Sequence, residues 1–133
     1  MGYDLSGDVH LSRANWSLCL FLAQAFGWVP EGTEPPNVVW YGEDGEEALR
    51  YVVPPEKWDG NYFTNDLQKV RASDAAALSA AIHRAVDALD HRPVGLTSQQ
   101  ADALNNWEGH RPWLENMARY FADRAEKQGF EIR

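Results

Sequence analysis

The sequence predicts a mainly α (α+β) fold: a single domain over residues 1–133, built as a bundle of about four helices. A small β-hairpin or an irregular Pro-rich insertion is expected between helices 1 and 2. Three observations predict this. Four stretches carry apolar residues at helical spacing, with capping residues at their ends. Two Pro-Pro pairs, Pro35-Pro36 and Pro54-Pro55, lie between the first and second of these stretches and bar a long helix there. The chain has 133 residues, is 44% hydrophobic and carries six Trp. At that size a chain buries roughly two-thirds of the surface its unfolded form exposes, enough for one core.

The first helix is "NWSLCLFLAQAFG". Ser12 or Asn15 can cap it, and Gly27 can end it in the left-handed conformation that other residues resist. Trp16, Cys19, Leu20 and Ala23 form one apolar stripe; Leu18, Leu22 and Ala25 form another. A helix apolar on most sides belongs in the middle of a domain. Cys19 has no second cysteine to pair with and reads as a small buried hydrophobe. The apolar run from Trp16 to Phe26 falls short of the ~20 residues of a membrane span, and "MGYDLSGDVH" lacks the basic start of a signal peptide. A cytoplasmic protein is the expectation.

After the first helix comes Pro30, then "VVWY" and "RYVV", two β-prone runs on either side of an acidic turn containing Asp44-Gly45. They predict a hairpin, with a short helix over Glu46–Tyr51 as the competing reading. The stretch "SDAAALSAAIHRAVDALD" predicts the second helix. Ser73 is its expected N-cap, Leu78, Ile82, Ala85 and Leu89 its buried stripe, and Asp74, His83, Arg84 and Asp87 its wetter faces. Thr97 and Gln100 have the spacing of a capping box and predict a short third helix. "HRPWLENMARYFADRAEKQGF" predicts the last, from Pro112 at its start to Gly129 beyond its end. Leu114, Met117, Phe121 and Ala125 point one way, while Glu115, Arg119, Asp123 and Lys127 step around the outside as i,i+4 partners. "FEIR" predicts an edge strand, or a tail that folds Phe130 and Ile132 onto the core.

No catalytic motif emerges. A Gly-rich phosphate loop, GxSxG and HExxH are all missing from the sequence. One Cys and four scattered His do not make a zinc site. Asp4, Asp8 and His10 could gather a metal but read as solvated, and His83 with Asp87 reads as a mild surface pair. Asp59 and Asp66 could serve as the carboxylate pair of an undetected hydrolase, though loop spacing fixes no distance. The expectation is a non-enzyme, with no catalytic residue, no metal and no cofactor.

Charge is the more informative feature. Residues 31–66 hold nine carboxylates against Arg50 and Lys57, which is −7 of the chain's −8. Nucleic acid is disfavoured as a partner, because phosphate backbones call for a concentrated positive field. Aromatic residues are interleaved with the acids, and aromatics anchor interfaces while carboxylates steer association. The expected partner-binding residues are Trp40, Tyr41, Glu43, Asp44, Glu46, Glu47, Trp58, Asp59, Asn65 and Asp66. The expected partner is a protein with a basic surface, such as a toxin met by its immunity protein, or a host enzyme met by a phage-encoded inhibitor. Neither membrane nor nucleic acid is expected.

Within this segment, "WDGNYFTNDLQKV" is dense in polar and aromatic side chains. Tyr62 and Phe63 can stack onto the core, and Asn65 and Asp66 can fold their oxygens back onto backbone amides. A small-ligand pocket between the Pro-Pro segments and the Asn65-Asp66 turn is the alternative. The segments "MGYDLSG", "AQAFGWVPEGTEPP", "WDGNYFTNDLQKVRASDAAALSAAIHRAVDAL" and "QGFEIR" resemble, in order and over most of the chain, a group of small bacterial proteins without a settled activity. The most specific part is Tyr62, Asn65, Asp66, Gln68, Val70, Asp74 and Ala75. The group carries Gly after the Asn-Asp pair, where this chain has Leu67. The resemblance implies a bacterial origin and a shared fold, and no mechanism.

Overall fold

The computed structural model describes residues 2–7, 9–35, 37–41, 47–51, 60–63 and 67–133; for 37–41 and 47–51 only the strands and their pairing are described. In chain order the elements are β1 (Gly2–Leu5), β2 (Val9–Ser12), α1 (Arg13–Ala25), β3 (Asn37–Tyr41), β4 (Glu47–Tyr51), β5 (Gln68–Val70), α2 (Ala72–His91), α3 (Ser98–Asn105), α4 (Arg111–Glu126) and β6 (Phe130–Ile132).

The helices follow from local signals. Ser12 caps α1 by accepting the Asn15 N–H at 3.1 Å. Thr97 and Gln100 form a reciprocal capping box at the start of α3. Pro112 lies in the first turn of α4, where a missing N–H costs nothing. The start of α2 differs from expectation. Its N-cap is Arg71, without a side-chain cap bond. Ser73 lies inside the helix and donates to the Glu31 carboxylate instead, at 2.8 and 2.9 Å. On α4, Glu115 pairs with Arg111 rather than with Arg119, while Lys127 pairs with Asp123.

The sheet is what a helix bundle lacks. Four antiparallel strands run in the order β2-β1-β6-β5, and four helices share one core with them. The fold is therefore α+β with a principal sheet outside the insertion. "FEIR" forms a strand and folds Phe130 and Ile132 onto the core as expected, but not at the edge: β6 pairs with β1 on one side and β5 on the other. Its alternation explains the position. Phe130 and Ile132 are buried while Glu131 is half-buried on the opposite face. The core joins Trp16 of α1, Phe121 of α4 and Phe130 of β6. Phe121 and Phe130 stack at 5.7 Å, and Trp16 meets Phe130 edge-on at 6.3 Å. Each helix contributes its apolar stripe to this core, and α2 packs most extensively on α4.

β3 and β4 form a second, two-stranded sheet, paired from Asn37↔Tyr51 to Tyr41↔Glu47. The second strand starts three residues ahead of the expected "RYVV", at Glu47, and residues 47–51 are strand rather than helix. Antiparallel register is fixed by the partner strand and the turn, so the five residues of β3 select the five that face them.

Leu67 has φ +68° and is exposed, with its N–H bonded to Ile132 O at 3.0 Å. A left-handed non-glycine costs about 1–2 kcal/mol, and glycine gives back roughly 0.5–1 kcal/mol through the unfolded chain. Leu67→Gly is accordingly expected to raise stability by up to about 1 kcal/mol in urea unfolding. A measured loss would mean that Leu67 side-chain contacts outweigh its backbone strain.

Candidate functional site

Trp28, just ahead of the acidic segment, and Tyr62, near its end, both meet the start of α2. Asp74, the third residue of α2, is fully buried. The sequence placed it on a wetter face. Its Oδ1 instead accepts the Trp28 indole N–H at 2.7 Å, and its Oδ2 accepts the Tyr62 hydroxyl. The Tyr62 oxygen in turn accepts the Gly32 N–H at 2.9 Å. Trp28 and Tyr62 pack edge to face at 5.4 Å.

A second layer lies beside the first. Buried Gln68 accepts through Oε1 from the Thr33 hydroxyl at 2.6 Å and from the Tyr62 N–H at 3.1 Å. Trp16 of α1 donates its indole N–H to Tyr62 O at 2.9 Å, and Tyr3 of β1 donates to Phe63 O at 2.9 Å. Tyr62 thus takes part in four of these hydrogen bonds. It also has φ +66°, a conformation that a bulky residue holds only when its surroundings over-determine it.

The electrostatics suit an anchor. A carboxylate in the first turn of a helix is favoured by the helix dipole. Burial first, and then the neighbouring Asp74, push the Tyr62 phenol above its ordinary value, so it stays protonated and donates. Both Asp74 oxygens are occupied and shielded from water. The group is built to hold two chain segments together rather than to move a proton.

The expected partner-binding residues fall as follows. Trp40 and Tyr41 lie in β3 and Glu47 lies in β4, with Tyr41 facing Glu47 in the register and Trp40 facing Ala48. Glu43, Asp44, Glu46, Trp58, Asp59, Asn65 and Asp66 lie outside the described residues. The Asp59–Asp66 carboxylate pair and most of the pocket expected between the Pro-Pro segments lie outside them too. Of "WDGNYFTNDLQKV", Tyr62 is buried as expected but Phe63 is exposed. Among the described residues of this stretch, Asn61 folds back to accept the Phe63 N–H at 2.8 Å, as Gln68 accepts the Tyr62 N–H.

Sequence reasoning missed Asp74, Gln68 and Thr33 as members of one buried network. A signal existed for two of them. Asp74 stands one helical step of four before Leu78, and Gln68 stands two residues before Val70, so both continue a buried stripe.

Elsewhere, Asp4 and His10 pair across β1 and β2 on the exposed face of the sheet, and Asp8 lies outside the described residues. Among the described residues no group of three or more His, Cys, Asp and Glu could hold a metal ion. Burial pushes the Cys19 thiol up to about 12, which removes it as a nucleophile at neutral pH. Among the described residues no helix is long and apolar enough to cross a membrane. Comparison with protein-family models, with curated proteins and with solved structures finds no match to this chain.

Proposed function

We propose that this protein is a non-enzymatic binding module, working in the cytoplasm, that docks a protein with a basic surface through its acidic, aromatic-rich segment 31–66. A toxin held by its immunity protein is the kind of pairing this describes. The observation that carries the reading is the anchor at the segment's root. Tyr62 is fixed by four hydrogen bonds, and Trp28 and Gly32 are tied to the same point. A segment held at both ends loses less freedom on binding, and that preorganisation adds affinity. The concentration of nine carboxylates against two bases in residues 31–66 supports steering toward a cationic partner. The β3–β4 pair is a sheet of its own, which makes it a discrete unit to present.

Reversing Glu43, Asp44, Glu46 and Glu47 to Lys tests the reading. With a partner captured from the source cell, association measured by surface plasmon resonance should slow by roughly tenfold or more at low salt. Dissociation should change much less, because rim charges act mainly on encounter. A capture experiment that recovers no partner, or a partner indifferent to the reversal, would refute it.

A further inference from the structure

The chain has 12 Lys and Arg against 20 Asp and Glu, yet four of the twelve line one cleft of about 330 Å³. Lys69 comes from β5, Arg124 and Lys127 from the end of α4, and Arg133 from just beyond β6. The turn between β1 and β2 forms another wall through Ser6 and Gly7.

The cleft is constructed around Arg124. Tyr120 donates its hydroxyl to Ser6 O at 2.6 Å, and Ser6 Oγ accepts the Glu131 N–H at 3.0 Å, so the turn is tied to both α4 and β6. The Arg124 guanidinium carbon lies 5.6 Å from the centre of the Tyr120 ring. On its other side Gly7, at φ +89°, leaves the room the guanidinium occupies: a Cβ there would stand 2.1 Å from Nη2. The guanidinium is thus held between a ring and a bare backbone. Its Nε is buried without a hydrogen-bond partner.

Charge pairing in the cleft is incomplete. Lys127 Nζ lies 3.0 Å from Asp123, and Arg133 Nη2 lies 3.9 Å from Glu131, which also lines the cleft. Among the described residues no carboxylate comes within the 4.0 Å of an ion pair to Arg124 or Lys69. The dipole of α4 accounts for cations in its last turn. It does not account for Lys69 and Arg133, which arrive on other elements. A half-buried guanidinium without a close counter-ion has lost hydration that no carboxylate replaces, which an anionic ligand would offset.

We infer that this cleft binds a small phosphate dianion, either free or as a phosphomonoester. Arg124 supplies the fixed forked donor that matches phosphate oxygens, and Lys69 and Lys127 supply point charges. A dianion suits this number of cations, whereas a single carboxylate would leave most of them unmatched. Glu131 opposes the ligand's charge and holds the affinity down.

Isothermal titration calorimetry of the full chain at fixed ionic strength tests this, with inorganic phosphate, phenyl phosphate and acetate as probes. Saturable binding of a phosphate at millimolar concentration, with acetate silent, is expected. Binding of inorganic phosphate alone would identify the free ion as the source, and tighter binding of phenyl phosphate a phosphomonoester. The Lys69→Gln/Lys127→Gln double variant changes only side chains that reach solvent, and should weaken binding by about tenfold or more. Glu131→Gln should tighten it severalfold. Neither phosphate binding saturably, or the double variant binding as the parent chain does, would overturn the inference.

Discussion

Replacing Asp74 with Ala is expected to destabilise the fold by about 2–6 kcal/mol, because it strands two buried donors at roughly 1–3 kcal/mol each. The donors are the Trp28 indole N–H and the Tyr62 hydroxyl. Neither has water to turn to, since Trp28 and Tyr62 are themselves buried. Asp74→Asn keeps the shape but presents an amide NH2 to one of the donors. It should fall between Ala and the parent chain. Urea unfolding gives the magnitude, and hydrogen exchange locates the effect. Amides of residues 28–34 and 60–63 should lose protection before those of α4, because the network ties these two segments to α2. A change for Asp74→Ala within about 0.5 kcal/mol, the range of ordinary surface substitutions, would remove the anchor and with it the main support for a preorganised binding segment.

Gly129→Ala is the second large effect. Gly129 has φ +87°, and a Cβ there would stand 2.0 Å from Val70 O, with Arg71 C and Ala72 N at 3.0 and 3.1 Å. These are backbone atoms, so no side chain can rotate away. β6 would have to withdraw from β5, breaking the Val70↔Phe130 pairing and loosening Phe130 in the core. The left-handed penalty alone is about 1–2 kcal/mol. The contact should bring the total above about 3 kcal/mol, the upper end of common single-substitution costs. Gly95→Ala is the matched control. Gly95 has φ +96° with nothing within 4 Å of its Cβ position, so it should show the backbone penalty and nothing more. Equal losses at the two sites in urea unfolding would mean that the close approach at Gly129 does not exist.

Parts of the architecture are legible in the sequence alone. The cap at Thr97, the Pro at the start of α4, Ser12 as one of the two caps expected for α1, and Leu114, Met117 and Phe121 of the expected stripe all agree with the structure, with Ala125 only half-buried, because each depends on residues three or four apart. The error at the start of α2 has the same physics with a competitor. Ser73 is a good cap by type, but Glu31, far away in sequence, offers its hydroxyl a carboxylate. Asp74 was misread for a related reason. Residue type argued for solvent while helical position argued for the core, and position prevailed because Trp28 and Tyr62 bring donors.

The sheet was legible only in fragments. "FEIR" looked like a terminal strand, yet the strands on either side of it come from the other end of the chain and from the residues leading into α2. A helix closes its hydrogen bonds within four residues, so local sequence suffices to determine it. A strand closes its bonds on a partner that spacing along the chain does not identify. By itself, then, the sequence determined the helices, their buried faces and the placement of nearly all the net charge in residues 31–66. Only the tertiary structure decided which strands join, which carboxylate ties Trp28 to Tyr62, and that four cations converge on one cleft, because those are meetings between residues far apart in the chain.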